Sequence, residues 1–251
     1  MRIVDMNVAL GARDVDKNTL TTEALLSVMD DHRIERAVAY HVLAKFDHCS
    51  GNAKMAEIAR NSGGRIGMCA VLDPVLGADS LPGVGTLKER LCAVGAEAIR
   101  VFPTELRVTF SPFYFEEILD AAEALSMPLI VDEELAVAPV HGLFERLPDM
   151  AARYPHVKFV FLRYGTCNLR HILPLVTKCT NVYFTMEKML DYKQIEEICE
   201  RGGADKLLFG SGYPALPHAG ALGLATYAEI GEEERAGILA KNWEAIRYDH
   251  S

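Results

Sequence analysis

The hydrophobic residues of this chain form short runs rich in β-branched side chains, and these runs alternate with longer amphipathic segments from end to end. A short apolar run predicts a buried strand, whereas apolar residues spaced three or four apart predict a helix. Regular alternation of the two is typical of repeated βα units around a parallel sheet. The predicted strands are Ile3–Leu10, Arg36–Leu43, Ile66–Leu72, Ala98–Phe102, Leu129–Glu133, Lys158–Arg163, Val182–Met186 and Lys206–Ser211.

Helices are predicted between the strands, and several of their ends carry recognisable signals. Asn52 and Ser111 can accept hydrogen bonds from the free N–H groups at a helix start. Glycine readily takes the left-handed conformation that ends helices, and it stands at such ends at Gly63, Gly95 and Gly202. The predicted helices are Thr22–His32, Ala53–Asn61, Thr86–Val94, Pro112–Leu125, Leu143–Arg153, Leu169–Thr177, Tyr192–Arg201 and a terminal helix from Gly231 to Ala240.

This alternation predicts an α/β fold, a (β/α)8 TIM barrel that forms one domain over residues 1–251. A chain of this length can bury one large core, and closed barrels of about 250 residues are common. An open doubly wound sheet would usually carry a glycine-rich phosphate turn after its first strand. No G-x-G-x-x-G motif follows Ile3–Leu10, so the pattern favours a closed barrel.

Composition and charge narrow the classes of partner. Apolar residues make up 50% of the chain and charged residues 24%, as in an ordinary globular protein. The formal net charge is −9 and no cluster of Lys and Arg is present, so nucleic acid is not an expected partner. The N-terminal apolar run is too short for a signal peptide or a membrane span, which predicts a cytoplasmic protein without membrane association. The six cysteines form no C-x-x-C pair and are expected to be free thiols.

Two motifs near the end of the chain are specific enough to indicate a protein family. Asp205–Pro214 reads DKLLFGSGYP, and Glu234–Asn242 reads ERAGILAKN. Both resemble the amidohydrolase-related family, also called amidohydrolase 2, whose last strand commonly ends in G-S-D-Y-P and whose C-terminal helix carries E-R-x-x-I-L-x-x-N. Three further segments are similar to the first, fifth and sixth strands of that family, so the resemblance spans the chain: Ile3–Asp5, Pro128–Val131 and Pro155–Leu162.

The resemblance implies a divalent metal, but the positions that would hold it carry other residues. Family members place two histidines on the first strand through D-x-H-x-H, where this chain has Asn7 and Ala9. A further histidine is replaced by Arg163, and the aspartate of G-S-D-Y-P by Gly212. Good ligands for such ions are imidazole, carboxylate and thiolate, and a guanidinium would repel a cation. We therefore expect neither a metal nor any other cofactor.

Active sites of such barrels lie at the carboxyl ends of the strands, and residues at those positions are candidates for the site. Arg100 and Arg163 would offer two guanidinium groups, which bind carboxylate or phosphate oxygens in pairs. His41 can act as acid or base near neutral pH. Each has a structural alternative, since Arg163 could pair with a barrel carboxylate and His41 could be a hydrogen-bonded core residue. We assign catalysis to His41, Asp132 and Arg163, and substrate binding to Asn7, Arg100, Glu134, Glu187 and Tyr213.

Three functional hypotheses follow. The first is a metal-independent hydrolase of a small anionic compound of lactone or amide type, because some similar barrels work without metal. The second is a non-catalytic barrel that binds a small molecule. The third is a hydrolase or decarboxylase with a relocated metal site, since strand ends converge in space, drawn from His41, Asp73, Glu134 or His218. In each case the expected partner is a small anionic molecule, and the resemblance adds a homodimer as the assembly to test.

Overall fold

Eight parallel strands curve into the barrel that the alternating pattern predicted. The computed structural model describes residues 1–12, 19–132, 143–163 and 168–248. The sheet runs in the order β2-β1-β3-β4-β5-β6-β7-β8-β9, and only the short β2 is antiparallel to its neighbour. The strands are β1 Val4–Ala12, β2 Thr19–Leu20, β3 Arg36–His41, β4 Ile66–Val71, β5 Ala96–Val101, β6 Pro128–Val131, β7 Lys158–Phe161, β8 Val182–Thr185 and β9 Leu207–Leu208.

The last strand meets the first. The Met6 N–H donates to the Phe209 carbonyl at 3.1 Å, and the Gly212 N–H donates to the Asn7 carbonyl at 2.9 Å. These bonds extend beyond β9 itself, because the segment after Leu208 pairs with β1 instead of continuing beside β8. The barrel is therefore nearly closed by the segment that carries the terminal motif.

Helices cover the outside of the barrel, as predicted. None of those in the described part of the chain is long and apolar enough to cross a membrane. They are α1 Thr22–Asp31, α2 His48–Asn61, α3 Leu87–Val94, α4 Pro103–Leu106, α5 Pro112–Leu125, α6 Leu143–Arg153, α7 Leu169–Lys178, α8 Gln194–Glu200, α9 His218–Tyr227, α10 Glu232–Ala236 and α11 Asn242–Ile246.

The core forms two layers, because successive side chains of a strand point to opposite faces. Along β3, Val38 and Tyr40 pack inside the barrel, while Ala37 and Ala39 pack against the helices. Trp243 of α11 joins the interior layer at 1% exposure. It is the single tryptophan of the chain, so its fluorescence reports directly on the barrel interior.

The second helix begins earlier than the sequence predicted. Asp47 caps it by accepting a hydrogen bond from the Ser50 N–H at 3.0 Å, so α2 starts at His48. The predicted cap, Asn52, lies inside the helix and is buried. Its side chain bonds both the N–H and the carbonyl of Val71, at 3.0 and 2.7 Å. Asn52 therefore ties α2 to the end of β4 and is not a cap.

The C-terminal motif has a structural role. Arg235 donates to the carbonyls of Thr226 and Ala228, each at 3.0 Å, and so satisfies the C-terminal end of α9. The next turn, Gly237–Lys241, is a π-helix. The Ile238 carbonyl of this turn accepts a hydrogen bond from the Phe209 N–H at 2.9 Å, directly after β9. The motif therefore anchors the last helices to the strand that closes the barrel.

Candidate functional site

A cavity of about 310 Å³ opens at the carboxyl ends of the barrel strands. This is the end at which TIM-barrel enzymes place their active sites. Its lining mixes apolar and aromatic side chains with polar and charged ones. The lining residues are Asn7, Ala9, Tyr40, Val42, Lys45, Phe46, Glu105, Arg163, Gly212, Tyr213, Pro214 and Ala215.

A buried guanidinium lies in the barrel interior at this end. Arg100 of β5 is 1% exposed, and its Nε and Nη2 both donate to Oδ2 of Asp132, the former at 3.1 Å. Its Nη1 donates to Oδ1 of Asn7 at 3.0 Å. The Arg100 Cζ lies 4.2 Å from the ring centroid of Tyr40, a cation–π distance. Arg100 thus holds together side chains from β1, β3 and the end of β6.

Asn7 links this guanidinium to a second buried carboxyl group. Its Nδ2 donates to Oε1 of Glu187 at 3.1 Å. Burial raises the pKa of Glu187, and the charge of Arg163 and the hydrogen bond from Asn7 oppose this shift. Among the described residues, Oε2 of Glu187 has no hydrogen-bond partner. The Glu187 carboxyl group therefore holds a proton more strongly than it would in water.

Arg163 reaches the cavity through its backbone conformation. Leu162 already packs inside the barrel, so regular alternation would turn the next side chain outward. Arg163 instead has a φ of 66°, in the left-handed region, and it lines the cavity. Its Nη1 lies 3.9 Å from Oδ1 of Asp132. Asp132 therefore has guanidinium groups near both of its oxygens.

A second charged pair lines the cavity beside β3. Lys45 and Glu105 form an ion pair at 2.5 Å, and the Lys45 ammonium lies 4.5 Å from the ring centroid of Phe102. Lys45 belongs to the short turn that follows β3, and that turn rests on Gly51 of α2. A Cβ at residue 51 would lie 2.1 Å from the Ala44 backbone nitrogen. Only glycine allows this close approach.

Behind the cavity wall lies a Ser, His and Asp cluster that is not connected as a catalytic triad. Asp5 accepts hydrogen bonds from the Ser211 N–H at 2.9 Å and from the Ser211 hydroxyl. Its Oδ2 lies 3.2 Å from Nε2 of His218, whose ring centroid is 4.3 Å from that of Tyr213. The hydroxyl thus donates to aspartate rather than to histidine, and Ser211 is 0% exposed. The cluster supports the turn that carries Tyr213 and presents no nucleophile.

The structure brings together most of the predicted site. Asn7, Arg100, Asp132, Arg163 and Glu187 form one connected group, and Tyr213 lines the cavity above it. Glu134 lies outside the described residues. None of these placements tests the role of any residue, so the assigned roles remain predictions.

His41 lies apart from the cavity. It follows Ala37 and Ala39 on the outer face of β3, and its ring lies against Gly11. Its Nδ1 accepts a hydrogen bond from the Leu43 N–H at 3.1 Å. Burial and then the charge of Lys54 lower its pKa. The catalytic role of His41 stays a prediction, but His41 is absent from the described cavity lining.

The site also contains residues that sequence reasoning missed. Tyr40 and Val42 could have been found, because both alternate with His41 on a predicted strand. Lys45, Phe46 and Glu105 come from turns, where side-chain direction does not follow a strand period. They line the cavity through tertiary packing.

The match to a protein family agrees with this architecture. A family model described as amidohydrolase matches residues 8–246, nearly the whole chain. The chain belongs to the amidohydrolase family. No curated protein matches its sequence.

Solved structures of amidohydrolase-like barrels share the fold at low sequence identity. 5-Carboxyvanillate decarboxylase from Sphingomonas paucimobilis has 14% identity and a TM-score of 0.72, with 98% of each chain covered. A probable 2-pyrone-4,6-dicarboxylic acid hydrolase from Acinetobacter baumannii, with citric acid bound, has 16% identity and a TM-score of 0.71, over 98% of this chain and 99% of that one. Dihydroxybenzoic acid decarboxylase from Polaromonas, with bound manganese and 2-nitroresorcinol, has 16% identity and a TM-score of 0.71, over 98% and 96%. Such likeness shows the fold alone.

The residues of this amidohydrolase-family chain do not suit the metal that the family resemblance implies. Asn7, Ala9 and Gly212 lie around the cavity, and Arg163 extends a cation toward it. Arg100 already occupies Oδ2 of Asp132. Within the described ranges, no three His, Cys, Asp or Glu side chains are grouped to hold a metal ion. Among the described residues, the oxygen donors at the site are the Asn7 amide and the carboxyl groups of Asp132, Glu187 and Glu105, of which Asp132 and Glu105 already pair with cations. No imidazole or thiolate of the described residues lines the cavity with them, so this set is poor for a divalent cation.

The alternative ligands proposed for a relocated metal site are not brought together either. Asp73 accepts hydrogen bonds from the N–H groups of Val75 and Leu76, at 2.7 and 3.3 Å, and so stabilises its own turn. His218 is buried beside Asp5, and His41 lies on the outer face of β3. The remaining member, Glu134, is outside the described residues.

Proposed function

We propose that this chain is a metal-independent hydrolase of a small anionic compound of lactone or amide type. The observation that carries the proposal is the pair of guanidinium groups around Asp132. Arg100 bonds one oxygen from within the barrel, and Arg163 approaches the other from the cavity. A guanidinium on a cavity wall suits a carboxylate, because its parallel N–H groups match the two oxygens.

The structural neighbours support an anionic substrate. One is a probable hydrolase of a dicarboxylic acid that holds citric acid, and another acts on a carboxylated vanillate. All are similar to this chain at 16% identity or less, so their substrates give only the chemical class. In this class, we assign Arg163 to the carboxylate of the ligand and the apolar and aromatic lining residues Tyr40, Val42 and Phe46 to its carbon skeleton.

Hydrolysis without a metal requires a protein group that transfers protons between the attacking water and the substrate. Asp132 and Glu187 are the buried carboxyl groups of the connected site, and both contact groups that line the cavity. Oδ2 of Asp132 accepts two hydrogen bonds from Arg100, and its Oδ1 lies 3.9 Å from Nη1 of Arg163. One oxygen of each carboxyl group has no hydrogen-bond partner among the described residues, but the Asp132 carboxylate is already held by two hydrogen bonds from Arg100. We therefore assign proton transfer to Glu187 and electrostatic support to Asp132.

The test is a panel of carboxylate-bearing lactones and amides, scored by thermal shift and by turnover. Arg163→Met should abolish both responses while the protein still folds. Arg170→Met removes the same charge from an exposed position and is the matched control, which should respond like the wild type. A ligand that stabilises the wild type but is recovered unchanged supports a non-catalytic binder, and release of carbon dioxide supports a decarboxylase. Equal responses from wild type and Arg163→Met would refute the proposed site.

A further inference from the structure

Glu187 is a buried carboxyl group whose hydrogen bonding is incomplete. It follows β8 and is 6% exposed. Its Oε1 accepts from Asn7 at 3.1 Å, whereas Oε2 is fully buried and has no hydrogen-bond partner among the described residues. An ionised carboxylate accepts several hydrogen bonds, and a protonated one offers an O–H donor instead. The described geometry therefore satisfies only part of what a carboxylate at this position requires.

Among the described residues, one charged side chain acts on Glu187 directly, and two others are linked to it through shared contacts. Arg163, after β7, favours the ionised carboxylate, and Asp132, after β6, belongs to the same connected group. Arg100 of β5 approaches only through the Asn7 side chain that both residues contact. Asn7 contributes a neutral donor. Arg163 thus both lines the cavity and favours the negative charge of Glu187.

We propose that Glu187 binds a proton when an anion occupies the cavity beside Arg163. The inference rests on the proposed anion site and adds that the site takes up its ligand together with a proton. An anion on Arg163 offsets the positive charge that favours ionised Glu187 and places a second negative charge nearby. Both effects favour the protonated carboxyl group. The proton then provides an O–H donor in the barrel interior. During hydrolysis this proton passes to the leaving oxygen or nitrogen of the substrate, and the carboxylate left on Glu187 takes the proton of the attacking water.

Anion binding should be linked to proton uptake only above the pKa of Glu187 in the free protein. Burial already raises the pKa of Glu187 in the free protein. Below that pKa the proton is present before the anion arrives, so affinity should not depend on pH. Above it the anion must bring a proton, and the affinity should fall by about tenfold per pH unit for one linked proton. The fall ends at the pKa of Glu187 in the complex.

Benzenesulfonate is the probe, because its sulfonate stays ionised across the pH range and its ring suits the apolar and aromatic residues of the cavity lining. Its affinity is measured by calorimetry from pH 5 to 8, in buffers of low and high ionisation enthalpy so that proton uptake appears as a buffer-dependent heat. The wild type should take up at most one proton per bound benzenesulfonate, and its affinity for benzenesulfonate should fall as pH rises. Glu187→Gln keeps an amide oxygen for Asn7 and should bind without uptake or pH slope. Glu200→Gln, which changes an exposed carboxyl group, should behave like the wild type.

The outcomes separate the two proposals. Binding that is lost in Arg163→Met but shows no proton uptake in the wild type overturns this inference and leaves the anion site intact. The same slope in wild type and Glu187→Gln also overturns it. Failure of the wild type to bind benzenesulfonate at any pH overturns the proposed anion site and this inference together.

Stability against pH gives a check that needs no ligand. A raised pKa means that the folded protein holds the Glu187 proton more strongly than the unfolded chain does. This contribution is full below the unfolded value near 4.5 and is lost as pH rises through the folded pKa. Glu187→Gln should therefore gain stability relative to wild type as pH rises over this window. A difference that stays constant from pH 4 to 8 would contradict a raised pKa for Glu187.

Discussion

Replacing Arg100 by methionine should destabilise the fold strongly, because it leaves a carboxylate unpaired in the barrel interior. Asp132 is 0% exposed and receives two hydrogen bonds from Arg100 at a single oxygen. The substitution also removes the hydrogen bond that Arg100 Nη1 donates to Oδ1 of Asn7 at 3.0 Å. Methionine fills similar volume along the stem, so the main loss is electrostatic. Breaking a buried pair by removing one partner costs about 3–5 kcal/mol, and we expect a loss in that range.

The assay is urea unfolding followed by the fluorescence of Trp243, whose side chain packs in the barrel interior. The second variant is Arg100→Met with Asp132→Leu, which removes both charges. Replacing a whole buried pair by apolar residues is often nearly neutral, so the double variant should recover roughly 2 kcal/mol or more of the loss. A loss below about 1 kcal/mol in Arg100→Met, or a double variant less stable than the single one, would refute the reasoning.

Two further predictions concern the cavity wall and the thiols. Gly51→Ala should lower the free energy of unfolding by about 1–3 kcal/mol, because the new methyl group overpacks against the Ala44 backbone, and it should weaken ligand binding. Gly220→Ala is the control: an added Cβ there meets nothing within 4 Å, so it should be neutral or stabilising in the same urea assay. Burial raises the pKa of Cys69 to about 12, so in native protein at pH 8 a thiol reagent should leave Cys69 unlabelled while exposed Cys49 reacts; peptide mapping that finds Cys69 labelled as fast would contradict its burial.

The fold could be predicted almost entirely from the sequence, because hydrophobic period reports directly on which face of an element is buried. All eight predicted barrel strands overlap observed ones. The errors lie where contacts with distant parts of the chain override the local pattern. Asn52 looked like a helix cap and instead bonds Val71 across the helix–strand interface. The last strand looked continuous through Ser211, but its ladder with β8 ends at Leu208 because the chain turns to pair with β1.

The candidate site was only partly accessible to sequence reasoning. Strand ends predicted that Asn7, Arg100 and Asp132 would meet, since parallel strands place these positions at one end of the barrel. Strict alternation would also have placed His41 on the outer face and Tyr40 inside. The direction of Arg163 depends on a φ of 66°, a conformation that no local pattern in the sequence indicates. The contribution of Lys45 depends on a turn held against α2.

The central claim is that an anionic compound is processed here without a metal. The most direct measurement is the turnover of a carboxylate-bearing lactone by protein that has been stripped with a chelator, assayed with and without added manganese. The account predicts the same rate in both conditions, lost in Arg163→Met. Activity that appears only when manganese is added, and that survives in Arg163→Met, would contradict it.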